Sequence, residues 1–123
     1  MPRRDPDPDP ADLLPLKPLE LLILTMLSAG ERHGYGIRQD IIAHTRGSIA
    51  LEAGNLYRHI RQLESDRLVE ETEPRSLAGD DDERRIYYRL LPLGRRVLAA
   101  EVRRLRAIIA IAEANHVVAP VHA

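Results

Sequence analysis

Apolar residues recur in steps of three and four along most of this chain, and then, for one short stretch, they alternate. That change of period constrains the fold most, because a helix buries a stripe every three or four residues and a strand buries every second one. Leu19, Leu22, Ile23, Met26 and Leu27 share one helical face over about Leu16 to Ala29. Pro18 suits the first turn of that helix and Gly30 suits its end. Glu31-Arg32-His33-Gly34-Tyr35-Gly36 reads as a turn into a second helix, about Tyr35 to Thr45, with Ile37, Ile41 and Ile42 inward. Gly47-Ser48-Ile49 breaks the pattern again. A third helix is expected from about Glu52 to Asp66, with Leu56, Ile60 and Leu63 as its buried stripe and Asn55, Arg58, Arg61 and Gln62 turned away from it. An apolar back and a polar, basic front suit a helix lying in a groove, although such charges also serve as an ordinary solvated face.

Period two takes over next. Leu68 to Glu73 reads as one strand; in a second, Ile86, Tyr88 and Leu90 are expected inward, alternating with Arg85, Tyr87 and Arg89. Pro74 to Glu83 is expected to be the connecting loop. Three helices followed by a hairpin is the order of a winged helix-turn-helix, with that loop as the wing. A last helix is expected from Pro92 to about Ala114, where Leu98, Val102, Leu105, Ile109 and Ala112 follow steps of four, three, four and three. That spacing is a coiled-coil seam, widened by Ile108 and Ile111. A second copy of the chain is the expected cover for so wide a stripe, helped by apolar residues to spare on the first helix, Leu21 and Leu24; packing on the chain's own core is the alternative.

The fold class is therefore mainly α with a small β-hairpin: a winged helix-turn-helix over residues 13–91 and a C-terminal dimerisation helix over 92–114. Residues 1–12, rich in alternating proline and aspartate, are expected to form a disordered, solvated tail, and 115–123 a flexible one. The chain has 123 residues, enough for one domain, and its hydrophobic fraction of 44% with only 3% aromatic residues calls for an aliphatic core. There is no cysteine, which excludes disulfides, thiolate catalysis and cysteine-based zinc sites. No apolar run is long enough to span a membrane and the N-terminus lacks the apolar core of a signal peptide, so a cytoplasmic protein is expected. The net charge of −1 argues weakly against nucleic-acid binding when averaged over the chain, but the charges are segregated. Acid collects at Asp5, Asp7, Asp9 and Asp12 and at Asp80, Asp81, Asp82 and Glu83. Base collects at Arg58 and Arg61, at Arg84 and Arg85, and along the last helix. DNA binding depends on such local positive charge.

Three stretches carry a family resemblance. They are His33-Gly34-Tyr35-Gly36-Ile37; Gly54-Asn55-Leu56-Tyr57 with Ile60, Leu63-Glu64 and Leu68-Val69; and Arg84-Arg85-Ile86-Tyr87-Tyr88-Arg89-Leu90 with Gly94-Arg95. In this order and spacing the chain resembles the PadR-like transcriptional regulators from about Leu16 to Ala112, and the single last helix is like that of the family's short subgroup. The resemblance implies a homodimer on a partly palindromic operator, usually as a repressor. It implies contacts to double-stranded DNA from Tyr35, from Gly54, Asn55, Tyr57, Arg58 and Arg61, and from Arg84 and Arg85 in the wing. Gly54 permits close approach to phosphate, Asn55 can pair with adenine or phosphate, the arginines can bind guanine or the backbone, and the Tyr57 ring can pack while its hydroxyl reaches phosphate.

Several positions depart from the family's pattern. Asn55 replaces the usual serine. Arg67 replaces the glycine that closes the third helix, which predicts strain there. Leu91 replaces the threonine cap of the last helix, a loss of about 1 kcal/mol. Acid at the wing tip predicts that the tip is held off the duplex or disordered, leaving wing contacts to Arg84 and Arg85. Five histidines are scattered over different elements and the C-terminal tail, without helical metal-ligand spacing, so no metal site is expected. No nucleophile elbow, phosphate loop or dinucleotide fingerprint occurs, so neither a cofactor nor an enzyme is expected. A small-molecule effector, if one exists, is expected at the aliphatic dimer interface, because the chain has no tryptophan or phenylalanine for an aromatic sandwich. The competing expectation, motivated by the acidic wing and near-neutral charge, is a winged-helix dimer that docks a protein and has lost DNA binding.

Overall fold

The structure, a computed structural model, describes residues 7–49, 51–72, 75–77 and 80–119, with the backbone alone for 75–77 and 80–85. Four helices, α1 (Pro18–Ser28), α2 (Gly34–His44), α3 (Ala53–Ser65) and α4 (Pro92–Ala114), surround one aliphatic core. The expected stripes supply it. Ile23 and Leu27 of α1, Ile37 and Ile41 of α2, and Leu56, Ile60 and Leu63 of α3 are all buried, joined by Leu51, Leu68, Val69, Tyr88, Leu93, Val97 and Leu98. Burying each such aliphatic side chain stabilises the fold by about 1.5–3 kcal/mol. Leu24, expected to be spare for a partner, is instead fully buried in this core. The reason is that α1 packs against α2, α3 and α4 together, so its buried arc is wider than one stripe.

A three-stranded antiparallel sheet closes the domain in the order β1 (Arg32–His33), β5 (Tyr87–Leu90), β2 (Val69–Glu71). Its register sets Val69 against Leu90 and Glu71 against Tyr88. Cross-strand Glu70 and Arg89 form an ion pair on the exposed side.

The expected loop at Pro74–Glu83 is corrected by the structure. Most of it is a second antiparallel pair, β3 (Arg75–Leu77) with β4 (Asp80–Arg85), so the wing is a longer hairpin and the acidic run lies on a strand. The ladder slips by one residue on the way out. Thr72 still bonds to Tyr87, whereas Arg75 faces Arg85, so three steps on one strand answer two on the other. Pro74, which has no N–H to offer a ladder, lies between in sequence. The slip also undoes a second expectation. Ile86, placed inward by alternation, falls between β4 and β5 and is exposed, while Tyr88 is buried and Leu90 half-buried.

The N-terminal segment is the other departure. A solvated tail was expected over residues 1–12. Residues 1–6 lie outside the described residues, but from Asp7 the chain lies along α4. A single 3-10 turn spans Pro10–Leu13, capped by the Asp9 carboxylate, which accepts from the Ala11 N–H. Leu13, Leu14 and Leu16 pack on the core, and Asp7 pairs with Arg96 at 3.0 Å. Proline at the first position of a turn is compatible with helical φ, so the Pro-rich composition did not preclude it.

Candidate nucleic-acid interface

The start of α2 is built by four consecutive residues. His33 is the N-cap, and its Nδ1 accepts from the Gly36 N–H at 2.8 Å. A methyl group on Gly36 would press on that imidazole, and one on Gly34 would collide with the hydroxyl end of Tyr57 from α3. The glycines therefore let a histidine cap and a tyrosine close in on the same turn. Between them Tyr35 is left 56% exposed, its ring stacked near that of His33.

The polar face of α3 lies opposite Leu56, Ile60 and Leu63, since successive residues turn by about 100°. Its first turns carry Gly54, Asn55 and Arg58, which with Glu52 line a cleft of about 520 Å³. Among the described residues, no atom beyond Gly54's chain neighbours and its own helix backbone stands within 4 Å of where a Gly54 side chain would begin, so the space is open to something from outside. The Arg58 guanidinium donates through Nη2 to Asn55 Oδ1 at 2.5 Å. Arg38 Nε donates to the Leu51 carbonyl at 2.8 Å, tying the segment before α3 to α2.

A second cleft, also about 520 Å³, opens between α2, α3 and the base of the wing, lined by His33, Gly34, Tyr35, Tyr57, Arg61, Glu71, Ile86 and Tyr88. Its charges are coupled. Burial raises the Glu64 carboxyl above its ordinary value, the Glu71 charge adds to the rise, and Arg61 opposes it. Burial, with Glu71 and Glu64, pushes the Tyr88 phenol up to about 12, so it stays a neutral hydroxyl. Arg61 thus faces carboxylates, whereas Arg58 is held by a neutral amide.

Of the expected DNA-binding residues, Gly54, Asn55 and Arg58 meet in the first cleft, and Tyr35, Tyr57 and Arg61 meet in the second. Tyr57 is half-buried against Gly34 and so also joins α3 to α2. Arg84 and Arg85 belong to β4, opposite Ser76 and Arg75, and their side chains lie outside the described ones. Ile86 was missed as a cleft residue, because alternation put it in the core. The capping role of His33 was missed as well; the signal was a histidine three residues before a second glycine. Among the described residues no group of three or more potential ligands gathers as a metal site. His59 pairs instead with Glu20 of α1 at 3.1 Å.

The seam expected on α4 divides in two. Leu98 is buried in the chain's own core. Further along, Val102 and Ile109 are exposed, with Ile108 and Ile111 beside them, while Leu105 and Ala112 are half-buried. Among the described residues no helix is long and apolar enough to cross a membrane.

Comparison with known proteins agrees with this architecture. Residues 23–100 match the transcriptional regulator PadR-like family. A relative from Lysinibacillus sphaericus, named Uncharacterized protein X, is 31% identical over 87 residues, covering 69% of this chain and 75% of that protein. Among solved structures, a PadR family transcription regulator from Clostridium difficile superposes with a TM-score of 0.65 at 24% identity, over 77% of this chain and 94% of that one. Bacillus subtilis PadR in complex with operator DNA gives a TM-score of 0.63 at 18% identity, over 72% of this chain and 48% of that one. The chain belongs to the PadR-like family of transcriptional regulators, which are DNA-binding regulators and not enzymes.

Proposed function

We propose that the protein is a sequence-specific regulator that binds a partly palindromic operator as a homodimer and represses transcription by occupying it. The observation that carries this reading is the outer face of α3, where Gly54 leaves open space beside Asn55 and Arg58. An open glycine at a helix start lets backbone N–H groups approach phosphate, and an exposed arginine one turn on can reach a base edge. Tyr35, Tyr57 and Arg61 extend the same surface toward the wing, where Arg84 and Arg85 supply further base. The operator complex of Bacillus subtilis PadR, a protein of the same fold, supports the choice of ligand.

The homodimer reading rests on the α4 residues Val102, Leu105, Ile109 and Ala112, on a face the chain leaves largely uncovered. A two-fold arrangement through that face presents two α3 helices to one duplex, which matches a palindrome. The same aliphatic interface is the place for a small-molecule effector. The acidic β4 strand favours the second reading, a dimer that docks a protein through its wing.

Binding to the DNA upstream of its own gene, measured by fluorescence anisotropy against salt, separates the two. DNA binding predicts log–log salt dependence with a slope of several units. Arg58→Ala is expected to weaken binding about tenfold or more with the fold intact. Arg61→Ala is expected to weaken it less, because the Glu64 carboxylate partly offsets that charge. Salt-independent affinity, indifferent to Arg58, would leave the protein-docking reading.

A further inference from the structure

We propose that Asn55 and Arg58 form one reading unit, in which Asn55 positions the Arg58 guanidinium to select a guanine in the major groove. This rests on the reading of α3 as the DNA-reading helix. The two residues lie one turn apart on its outer face, joined by the Nη2 to Oδ1 hydrogen bond at 2.5 Å. Both line the open cleft at the start of α3.

The bond restricts a long side chain that would otherwise sample many rotamers. A guanidinium carries five N–H donors in a planar fork. Nη2 has two of them and takes part in both of the fork's two-donor edges. Donating one hydrogen to Asn55 therefore leaves one complete two-donor edge, whichever hydrogen is used. A matching pair of acceptors occurs on guanine, at N7 and O6; adenine offers an acceptor beside an amino donor, which opposes a guanidinium.

The same bond takes one of the two acceptor sites of the Asn55 amide oxygen, the atom that would have to accept from an adenine N6. In the unit Asn55 acts as a positioning residue.

The test begins by selecting preferred duplexes from a random DNA library with the full chain. Wild type, Asn55→Ala, Arg58→Ala and the double variant are then titrated against the selected duplex. The same series is run on duplexes carrying adenine or 7-deazaguanine in place of each selected guanine. Wild type is expected to prefer guanine at one position per half-site by about tenfold or more. Asn55→Ala should keep the salt slope and the melting temperature, yet lose most of that preference. Arg58→Ala should abolish it, and Asn55→Ala should then add nothing. 7-Deazaguanine, which lacks the N7 acceptor, should cost wild type affinity and leave Arg58→Ala unchanged. Full guanine preference in Asn55→Ala, or independent effects of the two substitutions, would overturn the unit while leaving DNA binding standing. Absence of salt-dependent binding by wild type to any duplex would overturn the DNA reading itself, and the unit with it.

Discussion

At the residue scale, three helices end in the same way with a residue unsuited to the task. Arg46, Arg67 and His116 follow α2, α3 and α4 with φ of 52°, 62° and 60°. After α3, Arg67 N–H bonds to the Glu64 carbonyl and Leu68 N–H to the Leu63 carbonyl, the paired bonds of a Schellman closure. The left-handed backbone costs a residue with a Cβ about 1–2 kcal/mol. The strain expected at Arg67 from sequence is therefore present, and Arg46 and His116 repeat it. Arg67→Gly is expected to raise stability by about 1 kcal/mol in urea unfolding, and a drop would show that the arginine has a compensating contact. Gly94 has the opposite constraint. A methyl group there would meet the Leu68 backbone carbonyl, which cannot swing aside, so Gly94→Ala should cost about 3 kcal/mol of stability in the same assay. Tyr88 supplies a pH signature. Its folded value lies above its unfolded one, so its contribution is complete below 10 and is lost as pH rises toward about 12. A pH series of urea midpoints should fall across that window in wild type and less steeply in Tyr88→Phe.

At the element scale, helix periodicity was legible and helix surroundings were not. The bounds of α4 came out as expected, and Leu91 at its N-cap makes no side-chain bond, as its identity implied. What α4 holds was not visible. Glu101 is almost fully buried at 1% exposure, although the sequence shows no sign of it among the charges of this helix. It accepts from the Leu16 N–H at 2.7 Å and from Arg104, and so fastens the N-terminal segment to α4. The Arg104 bond is the main cause that holds its carboxyl below the ordinary glutamate value, the Leu16 N–H adding to the effect and burial opposing it. A depressed folded value contributes stability above the unfolded value, which disappears as pH falls through the folded one. Glu101→Ala should lower stability by about 2 kcal/mol at neutral pH, the loss of a hydrogen-bonded charge. Glu101→Gln, measured by thermal melts from pH 6 downward, should flatten the acid limb that wild type shows below the ordinary glutamate range. An unchanged acid limb would assign the effect to other carboxylates.

At the scale of the whole molecule, the largest consequence is the aliphatic end of α4. Ile109 is 52% exposed and Ile111 63%, with Val102 and Ile108 nearby, which is the apolar surface that the proposed homodimer would cover. Because Ile109 adds little to the single chain's core, Ile109→Glu should leave the helical circular dichroism spectrum intact and yield monomers in sedimentation. On the proposed palindromic operator, DNA affinity should fall at the same time, since a single α3 helix would meet only one half-site. A dimer that survives the substitution would move the interface elsewhere. The core also explains the division of the expected seam. Leu98 is near the start of α4, over α1, and is covered there, while the residues two and three turns later extend beyond the domain.

Local chemistry was enough for the sequence to determine the helix stripes, the glycines and proline at helix ends, the missing cap at Leu91 and the strained position at Arg67. Each depends on residues within a turn or two of one another. The outer face of α3 followed from the same periodicity, which is why Asn55, Arg58 and Arg61 were expected on it; Gly54 and Tyr57 were expected there only from the family resemblance. Tertiary structure alone decided the rest: Leu24 in the core, Ile86 in the cleft, β3 and β4 in place of a loop, and Glu101 clasping Leu16 from 85 positions away. Those outcomes depend on which surfaces meet and on a one-residue slip between strands, and neither is encoded in the spacing of any single segment.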